Sequence, residues 1–561
     1  MGRGDSEIKE KILAVVDQAE IKEWREVSVE KGKSEPSVEE REALKKKKEI
    51  EKKIKKKIIE SIIAKLNTSE LKENVIKKIM DQESQRQQDE ECTVVDRPFW
   101  LDAPSGTRDF YPYEMRERNW LFERMKEIGI KYGFEEYDAP VLEHVELYER
   151  KAGEEISQQM YNFIDKENVR VCLRPEMTPS LARMVLNQTN LITGEVRKTL
   201  PLKWFSIPQC WRFETTQRGR KREHYQWNMD IVGESSITAE AELLNAICSF
   251  FASLNITADI VGIRINSRKV LDAALQHAGV PPEQFAKVCV IVDKLDKIGA
   301  DAVKDLLMNK EGNIYLPEET AHTILNCLQA KNVHELASFL PKENEYAQNA
   351  IHELELLFQI AQSAGFFSYL IFDASVVRGL AYYTGIVFEA FDRKGQLRAI
   401  CGGGRYDKLL ALYGGETCQI PCCGFGFGDC VIMELLKDYN LLPSFAPTID
   451  FFVAPFQKND IPNAFFIASQ LRSAGFSVHL ALGASKKARQ AFDLANRYGA
   501  KMVAFVAPDE WQNNKVRIKH MIMKDPLTGE GKQIDFSLSL LSDRAAILSA
   551  FADQAQSSVL T

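Results

Sequence analysis

The stretch Lys203–Gly233, KWFSIPQCWRFETTQRGRKREHYQWNMDIVG, decides how the rest of the chain is read. It opens as an apolar, aromatic-rich strand and turns through a polar loop carrying Arg218, Gly219, Arg220, Lys221 and Arg222. It returns as a second strand from about Tyr225. This pattern predicts a β-hairpin with a cationic tip. Arg212 and Glu214 stand two apart near the end of the first strand and so share a face, as do Gln226, Asn228 and Asp230 on the way back. A solvated hairpin edge alternates in the same way. Planar guanidinium, carboxylate and a basic loop together point instead to a site for an anionic phosphate and a small polar partner.

Working outward, a chain of 561 residues should hold three or four domains, each large enough to bury its own core. With 45% hydrophobic and 27% charged residues it has the composition of an ordinary soluble protein. The net charge of -7 excludes a generally basic nucleic-acid coat, so any nucleic-acid contact falls to local patches. No apolar run approaches a membrane span, and the start, MGRGDSEIKEKILAVVDQAE, is too charged for a secretory signal. The eleven cysteines are scattered among apolar neighbours, which suits reduced thiols and a cytoplasmic location. Cys418, Cys422, Cys423 and Cys430 lack both a CxxC pairing and a nearby histidine, so no metal site is assigned.

Residues 1 to about 95 differ in character. Ile50, Ile54, Ile58, Ile62 and Leu66 form one apolar helical stripe, and lysines crowd around its first half from Lys45 to Lys57. Two readings stand: a basic helix that touches nucleic-acid backbone without reading sequence, or a solvated arm kept soluble by its lysines. The run DQESQRQQDEE, Asp81 to Glu91, reads as a linker.

A domain starts near Pro98, with a loop holding Gly106 and Arg108. An amphipathic helix follows from about Pro112, then a strand ending at Pro140. The segment VRVCLRPEMTPSLARMVL places Arg174, Glu176 and Thr178 where a strand gives way to a helix, as ligand-facing groups or as helix caps. A helix from Ser235 and the strand ADIVGIRINS precede a helix-rich region over about 267–350. Arg378, Gly379, Tyr382, Tyr383, Thr384 and Gly385 then fall between two strands. Next come Gly402, Gly403 and Gly404, which allow a ligand close to the backbone. A second glycine run, CGFGFG from Cys423, leads into a helix, and Thr448 to about Asp535 alternates strand and helix as a small α/β domain on a mixed sheet.

The ordered set GTRDF, LRPEMT, the Arg212 hairpin, VVRGLAYYTG, CGGGRYD and the terminal glycine-helix resembles the histidyl-tRNA synthetase family of class II aminoacyl-tRNA synthetases, from about Pro98 to the C-terminus. The resemblance implies an α+β multidomain fold. Residues 1–95 would be an N-terminal basic helical extension and linker. Residues 96–446 would form the class II catalytic domain, an antiparallel sheet with flanking helices and a helical insertion over about 267–350. Residues 447–561 would form a C-terminal α/β anticodon-binding domain. It also implies a homodimer formed partly through Gly106 to Pro140, ATP and Mg²⁺ as cofactors, and L-histidine and tRNA(His) as partners.

The resemblance also carries roles. Arg212 matches an arginine that grips the α-phosphate and the substrate carboxylate, and Arg378 one that approaches that phosphate from the opposite side. Glu214 matches a contact to ATP and Arg220 a holder of its outer phosphates, while Gln217 and Arg222 match positions near the acceptor end of tRNA. Glu176, Thr178 and Gln226 match groups around the α-ammonium of histidine. Asp230 and Tyr383 match those that bracket its imidazole, with Tyr382 and Tyr406 as further pocket residues. Three positions depart from the family pattern: Cys430 stands where the third motif has an arginine, Ala381 where many members have Asp, and Asp230 where many have Glu. A catalytically silent, histidine-binding paralogue acting as a regulatory subunit is the competing expectation.

Overall fold

The computed structural model describes residues 98–150, 158–292, 295–309, 314–376, 383–446, 449–484, 488–524 and 531–552. The lysine-rich stripe and linker of the first 95 residues, together with Arg378 and Tyr382, lie outside the described residues. The chain divides into two units, Met1–Asp102 and Ala103–Thr561. The described part of the first is one 3-10 turn, Phe99–Leu101.

The second unit opens with helix α1 (Pro112–Lys131), which has a proline in its first turn, where a missing N–H costs nothing. Leu121, Met125 and Ile128 recur at helical spacing on its buried side. The strand expected to reach Pro140 stops sooner, as β1 (Glu135–Glu136). Asp138 and the carbonyl of Ala139 are taken by the buried guanidinium of Arg174, and this pulls the chain out of the sheet. A three-stranded sheet follows: β2 (Leu142–His144), β3 (Asn162–Ile164) and β4 (Arg170–Leu173), in the order β2-β4-β3. Helix α2 (Thr178–Asn187) comes next. Its N-cap residue is Met177, whose side chain makes no cap hydrogen bond, and Thr178 is the first helical residue.

The hairpin forms from β5 (Leu202–Ser206) and β6 (Gln209–Trp211), both antiparallel to β7 (Glu223–Val232). The outgoing strand breaks at Ile207-Pro208, where Pro208 has no N–H for the ladder. The return strand starts at Glu223, two residues before Tyr225. The outgoing strand ends at Trp211, because the Phe213 N–H leaves the ladder for the carbonyl of Gln159 at 2.7 Å. Arg212 and Glu214 are therefore not placed by strand alternation.

Helix α3 (Thr238–Ser253) leads to β8 (Val261–Ser267) and α4 (Arg268–His277). Helices out to Leu328 bury a cluster of their own around Leu275, Val288, Val303 and Ile324. The long helix α5 (Glu345–Ala364) instead lays Ile351, Leu354 and Leu357 on the main core. The helix-rich region thus divides near Leu328 into a part with its own core and a part that backs the sheet. Strands β9 (Leu370–Phe372), β10 (Ile386–Asp392), β11 (Cys401–Arg405) and β12 (Cys422–Gly428) then complete the large sheet, in the order β1-β5-β7-β12-β11-β10-β8-β9. Its centre is antiparallel, and its edge pairs β1/β5 and β8/β9 are parallel. Helix α6 (Asp429–Asp438) leaves directly from β12.

One face of this sheet is packed with aromatic rings. Trp227 of β7 meets Phe250 of α3 at 5.1 Å and Phe425 of β12 at 5.2 Å, and Phe250 meets Phe427 at 5.2 Å. The C-terminal residues form a second sheet: β13 (Ile449–Pro455), β14 (Val478–Leu480), β15 (Ala500–Val506), β16 (Lys515–Lys524) and β17 (Gly531–Ser537). Its order is β14-β13-β15-β16-β17, parallel over the first three strands and antiparallel thereafter. Phe451 and Val453 are buried on one face and Phe452 and Ala454 on the other, the pattern of a sheet covered on both sides.

Gly402 and Gly403 are adjacent on β11 but face opposite sides. A Cβ on Gly403 would collide with the carbonyl of Gly424 and come within 2.6 Å of Phe425, whereas one on Gly402 would meet only the carbonyl of Phe388, at 3.7 Å. Gly403→Ala is expected to lose about 1–3 kcal/mol in chemical unfolding, the usual cost of overpacking. Gly402→Ala is expected to lose none; equal effects would contradict this assignment of faces.

Candidate active site

The opposite face of the sheet has a floor of backbone. Gly424, Gly426 and Gly428 of β12 pair with Asp230, Asn228 and Gln226 of β7. A Cβ on Gly424 would collide with the Asp230 carboxylate, and one on Gly426 with the Gln226 amide. The polar side chains of β7 can therefore lie across β12. Above them is a cavity of about 360 Å³, a volume typical of small-molecule sites.

One end of the cavity is built by the hairpin. The Arg212 N–H donates to the Arg222 carbonyl at 2.8 Å, and its Nε donates to the Pro175 carbonyl at 2.9 Å. This aims the guanidinium beside Glu176, 3.9 Å from its carboxylate, in the loop before α2. Glu214 accepts from Arg220 through both its oxygens, a fork-to-fork pair across the loop. At the tip, Gly219 takes a φ of 70°. The tip is less cationic towards solvent than its sequence suggests. Arg218 is tied to Glu434 and Asp438 of α6, and the Arg222 guanidinium lies 4.1 Å from the Phe213 ring centre.

The other end is built by strands. The Tyr406 hydroxyl donates to Asp230, and burial followed by that carboxylate pushes the Tyr406 phenol well above its usual range, so it stays protonated. Tyr383 lies against Gly404, its ring carbons 3.1 Å from where a Cβ would be. Between the two ends the buried Gln226 Oε1 has no hydrogen-bond partner. A buried acceptor left unpaired costs free energy until a donor arrives, so it marks a place for one.

An ion cluster braces the hairpin end from below. Arg108 donates to Glu223 at 3.2 and 3.3 Å and to Asp429, the first residue of α6, at 2.9 Å. Asp429 also accepts the Tyr225 N–H at 2.9 Å. Both carboxylates are almost fully buried, so removing one partner would strand a charge.

The sequence model described as Histidyl-tRNA synthetase matches residues 106–428, and that described as Anticodon binding domain matches residues 450–543. A histidine–tRNA ligase of Arabidopsis thaliana, named chloroplastic/mitochondrial, is 47% identical over 78% of this chain and 85% of its own length. A histidine–tRNA ligase of Leptospira biflexa serovar Patoc is 36% identical over 75% of this chain and 94% of its own. The chain belongs to the histidyl-tRNA synthetase family. The crystal structure of histidyl-tRNA synthetase from Nostoc sp. PCC 7120 matches with a TM-score of 0.63 at 25% identity, covering 80% of this chain and 99% of that one. The antiparallel-rich sheet with flanking helices agrees with the fold expected of this class II family.

In this family member the cavity gathers Glu176, Thr178, Arg212, Glu214, Arg220, Gln226, Asp230, Tyr383 and Tyr406. Gln217 and Arg222 lie on the hairpin outside the cavity lining; Gln217 and Arg220 bond each other's backbone at 2.9 and 3.1 Å. Among the lining groups that the sequence does not single out are His224, Arg398 and Val431. His224 could have been found by extending the period-two row of Gln226, Asn228 and Asp230 back by one step. Arg398 has no such signal, because it comes from the connection between β10 and β11. Cys430, on the first turn of α6, also lines the cavity, and burial and Asp429 raise its thiol far above the usual range.

Burial, then the guanidinium groups of Arg212, Arg108 and Arg220, lower the His224 imidazole from 6.5 to about 3. Above pH 6.5 the group is neutral in folded and unfolded chains alike. Below it the unfolded chain takes up a proton that the folded chain refuses until about pH 3, so folding stability falls with pH across that window. His224→Gln is expected to reduce the stability loss between pH 7 and pH 5 by about 1–2 kcal/mol. Chemical unfolding at the two pH values checks this, and an unchanged difference would contradict it.

Proposed function

We propose that the chain ligates histidine to tRNA(His) with ATP, through a histidyl-adenylate. The observation that carries this reading is the joining, in one cavity, of the Arg212–Glu176 end with the Asp230–Tyr406 end, with the unpaired Gln226 acceptor between them. In the first step a histidine carboxylate oxygen attacks the α-phosphorus of ATP, the bond to the β-phosphate breaks, and pyrophosphate leaves. No protein base is needed, since the attacking group is already ionised. The demand is for fixed cations around the phosphate oxygens. Arg212 and Arg378 fill that role in this reading, with Arg220 and Glu214 on the nucleotide tail. Mg²⁺ would neutralise the outer phosphates. In the second step the terminal ribose of tRNA takes the acyl group, with Gln217 and Arg222 beside the acceptor end, and positioning dominates again.

A neutral imidazole offers one N–H and one bare nitrogen. In this reading the Asp230 carboxylate, which also accepts from Tyr406, is the acceptor for that N–H, and the Tyr383 hydroxyl is the donor. Glu176, Thr178 and Gln226 receive the α-ammonium, and Tyr382 is assigned to histidine binding by the family resemblance alone. An apolar amino acid would leave the buried carboxylate unpaired, and sites built on such pairing reject it by factors on the order of ten thousand.

The domain limits proposed are 1–95, 96–446 with the helical insertion, and 447–561 for anticodon binding. We also propose a homodimer. Tyr111, Tyr113, Ile130, Val141 and Leu142, in and just beyond the Gly106 to Pro140 region, are exposed apolar side chains that a second copy could cover. A cytoplasmic location is supported by the ten free thiols of the described residues, which suit a reducing compartment. Imaging of the tagged full chain tests it, and light scattering tests the dimer.

The deciding assay is ATP–pyrophosphate exchange across all twenty amino acids, which should respond to histidine alone. No exchange with any would leave only the silent paralogue. Arg212→Ala should slow adenylation by about two to three orders of magnitude, the effect of losing a fixed transition-state donor. Asp230→Asn should raise the histidine KM strongly and leave that for ATP nearly unchanged. If both constants moved together, Asp230 would not read the imidazole.

A further inference from the structure

Beside the histidine end of the cavity, β11 ends in a buried polar knot. The Arg405 guanidinium donates to both oxygens of Glu240 at 2.7 and 2.6 Å, to the carbonyls of Glu234 and Ser236 at 2.9 and 3.1 Å, and to Asp407 Oδ1 at 3.2 Å. Asp407 uses its second oxygen as well. Its Oδ1 also accepts the Cys422 N–H at 3.1 Å, and its Oδ2 accepts the Thr384 hydroxyl at 3.2 Å. The contact with Thr384 is reciprocal, because the Asp407 N–H donates to Thr384 Oγ1 at 3.1 Å and the Thr384 N–H donates to the Arg405 carbonyl at 2.8 Å. Gly385 follows, and a Cβ there would press on the Arg405 side chain at 3.0 Å.

Thr384 is the neighbour of Tyr383, and Asp407 the neighbour of Tyr406. The clasp therefore joins, by one residue on each side, the two tyrosines that meet at the histidine end. A buried ion pair such as Arg405–Glu240 is a weak source of net stability, because desolvation offsets its attraction. What it fixes is geometry. Its arms hold the start of α3, the start of β12 and the approach to β10 in one register, and Thr384 is the arm that reaches the tyrosine wall.

We propose that Thr384 and Asp407 are positioning residues for histidine recognition, holding Tyr383 over Gly404 and opposite the Asp230–Tyr406 pair without touching substrate themselves. The proposal rests on the reading of Tyr383 and Tyr406 as the histidine end of the cavity. Thr384→Val keeps the side-chain volume and removes every bond of the hydroxyl, including its longer contact to the Arg405 carbonyl, and Thr384→Ser keeps them. In histidine-dependent ATP–pyrophosphate exchange, Thr384→Val should raise the histidine KM about tenfold and that for ATP by less than about twofold, in line with loss of a hydrogen bond to a charged group. Thr384→Ser should restore the histidine constant, and thermal unfolding should show all variants folded at the assay temperature. A purely structural role would lower the active fraction or move both constants together, and either result, or an unchanged histidine KM, overturns the proposal. Should Thr384→Val fail to fold, Asp407→Asn reads the same contact: a raised histidine KM alone supports the proposal, and an unchanged one overturns it. Tyr383→Phe in the same assay separates the two layers. If it leaves the histidine KM unchanged, the pocket reading falls and the proposal with it; if it raises that constant while Thr384→Val does not, the proposal alone falls.

Discussion

The constraint on which the rest of the structure depends is carried by five residues of β12, Gly424 to Gly428. Alternation along a strand sends Phe425 and Phe427 into the aromatic core with Trp227 and Phe250, and leaves glycine on the other face. A strand that is bulky beneath and bare above does two jobs. It anchors the centre of the sheet by burying large rings, and it lets the side chains of β7 lie flat across it as cavity wall. Any side chain at Gly424 or Gly426 would displace Asp230 or Gln226, so the packing of the fold and the shape of the site are set by the same five positions.

Charge follows the same economy. The cations of the hairpin end are held before any ligand is present: Arg212 by the Pro175 carbonyl beside Glu176, Arg220 by Glu214, Arg108 by Glu223 and Asp429. Preorganised donors of this kind stabilise developing charge without reorganising at the moment of reaction. Nearby carboxylates also allow several guanidinium groups to sit within one wall. The imidazole of His224, which has three of them as neighbours, gives up its proton instead.

Much of this was legible in the sequence, and the parts that were not share a cause. The hairpin, the row Gln226, Asn228 and Asp230, the helix after LRPEMT and the mixed C-terminal sheet all follow local periodicity, and periodicity is what sequence displays. The extent of the strands around Arg212 and Pro140 was misjudged because distant partners decide it: the Gln159 carbonyl takes the Phe213 N–H, and the Arg174 guanidinium takes the Ala139 carbonyl. The glycines of β12 are visible as a run leading into a helix, but that their alternation with Phe425 and Phe427 makes a two-faced strand shows only in the structure. The Arg108 cluster spans 321 residues between Arg108 and Asp429, and no local pattern connects them. Arg378 and Tyr382, legible through family resemblance, lie outside the described residues.

The start of α6 shows how such a site redistributes a function among its walls. Its first turn reads Asp429, Cys430, Val431, Ile432 and brings no cation to the cavity. Asp429 suits a helix N-terminus, where the backbone dipole favours negative charge, and it is committed to Arg108 and the Tyr225 N–H. The Cys430 thiol beside it is held protonated by burial and that carboxylate, so it presents a neutral, apolar edge. The positive charge lining this part of the cavity comes instead from Arg212, Arg220 and Lys221 on the hairpin and Arg398 on the β10–β11 connection. Because Arg218 ties the hairpin to Glu434 and Asp438 of α6, the helix still governs where those cations stand. Its contribution is thus exercised through the hairpin it anchors, and the cavity keeps a cationic end although the first turn of α6 brings no cation to it.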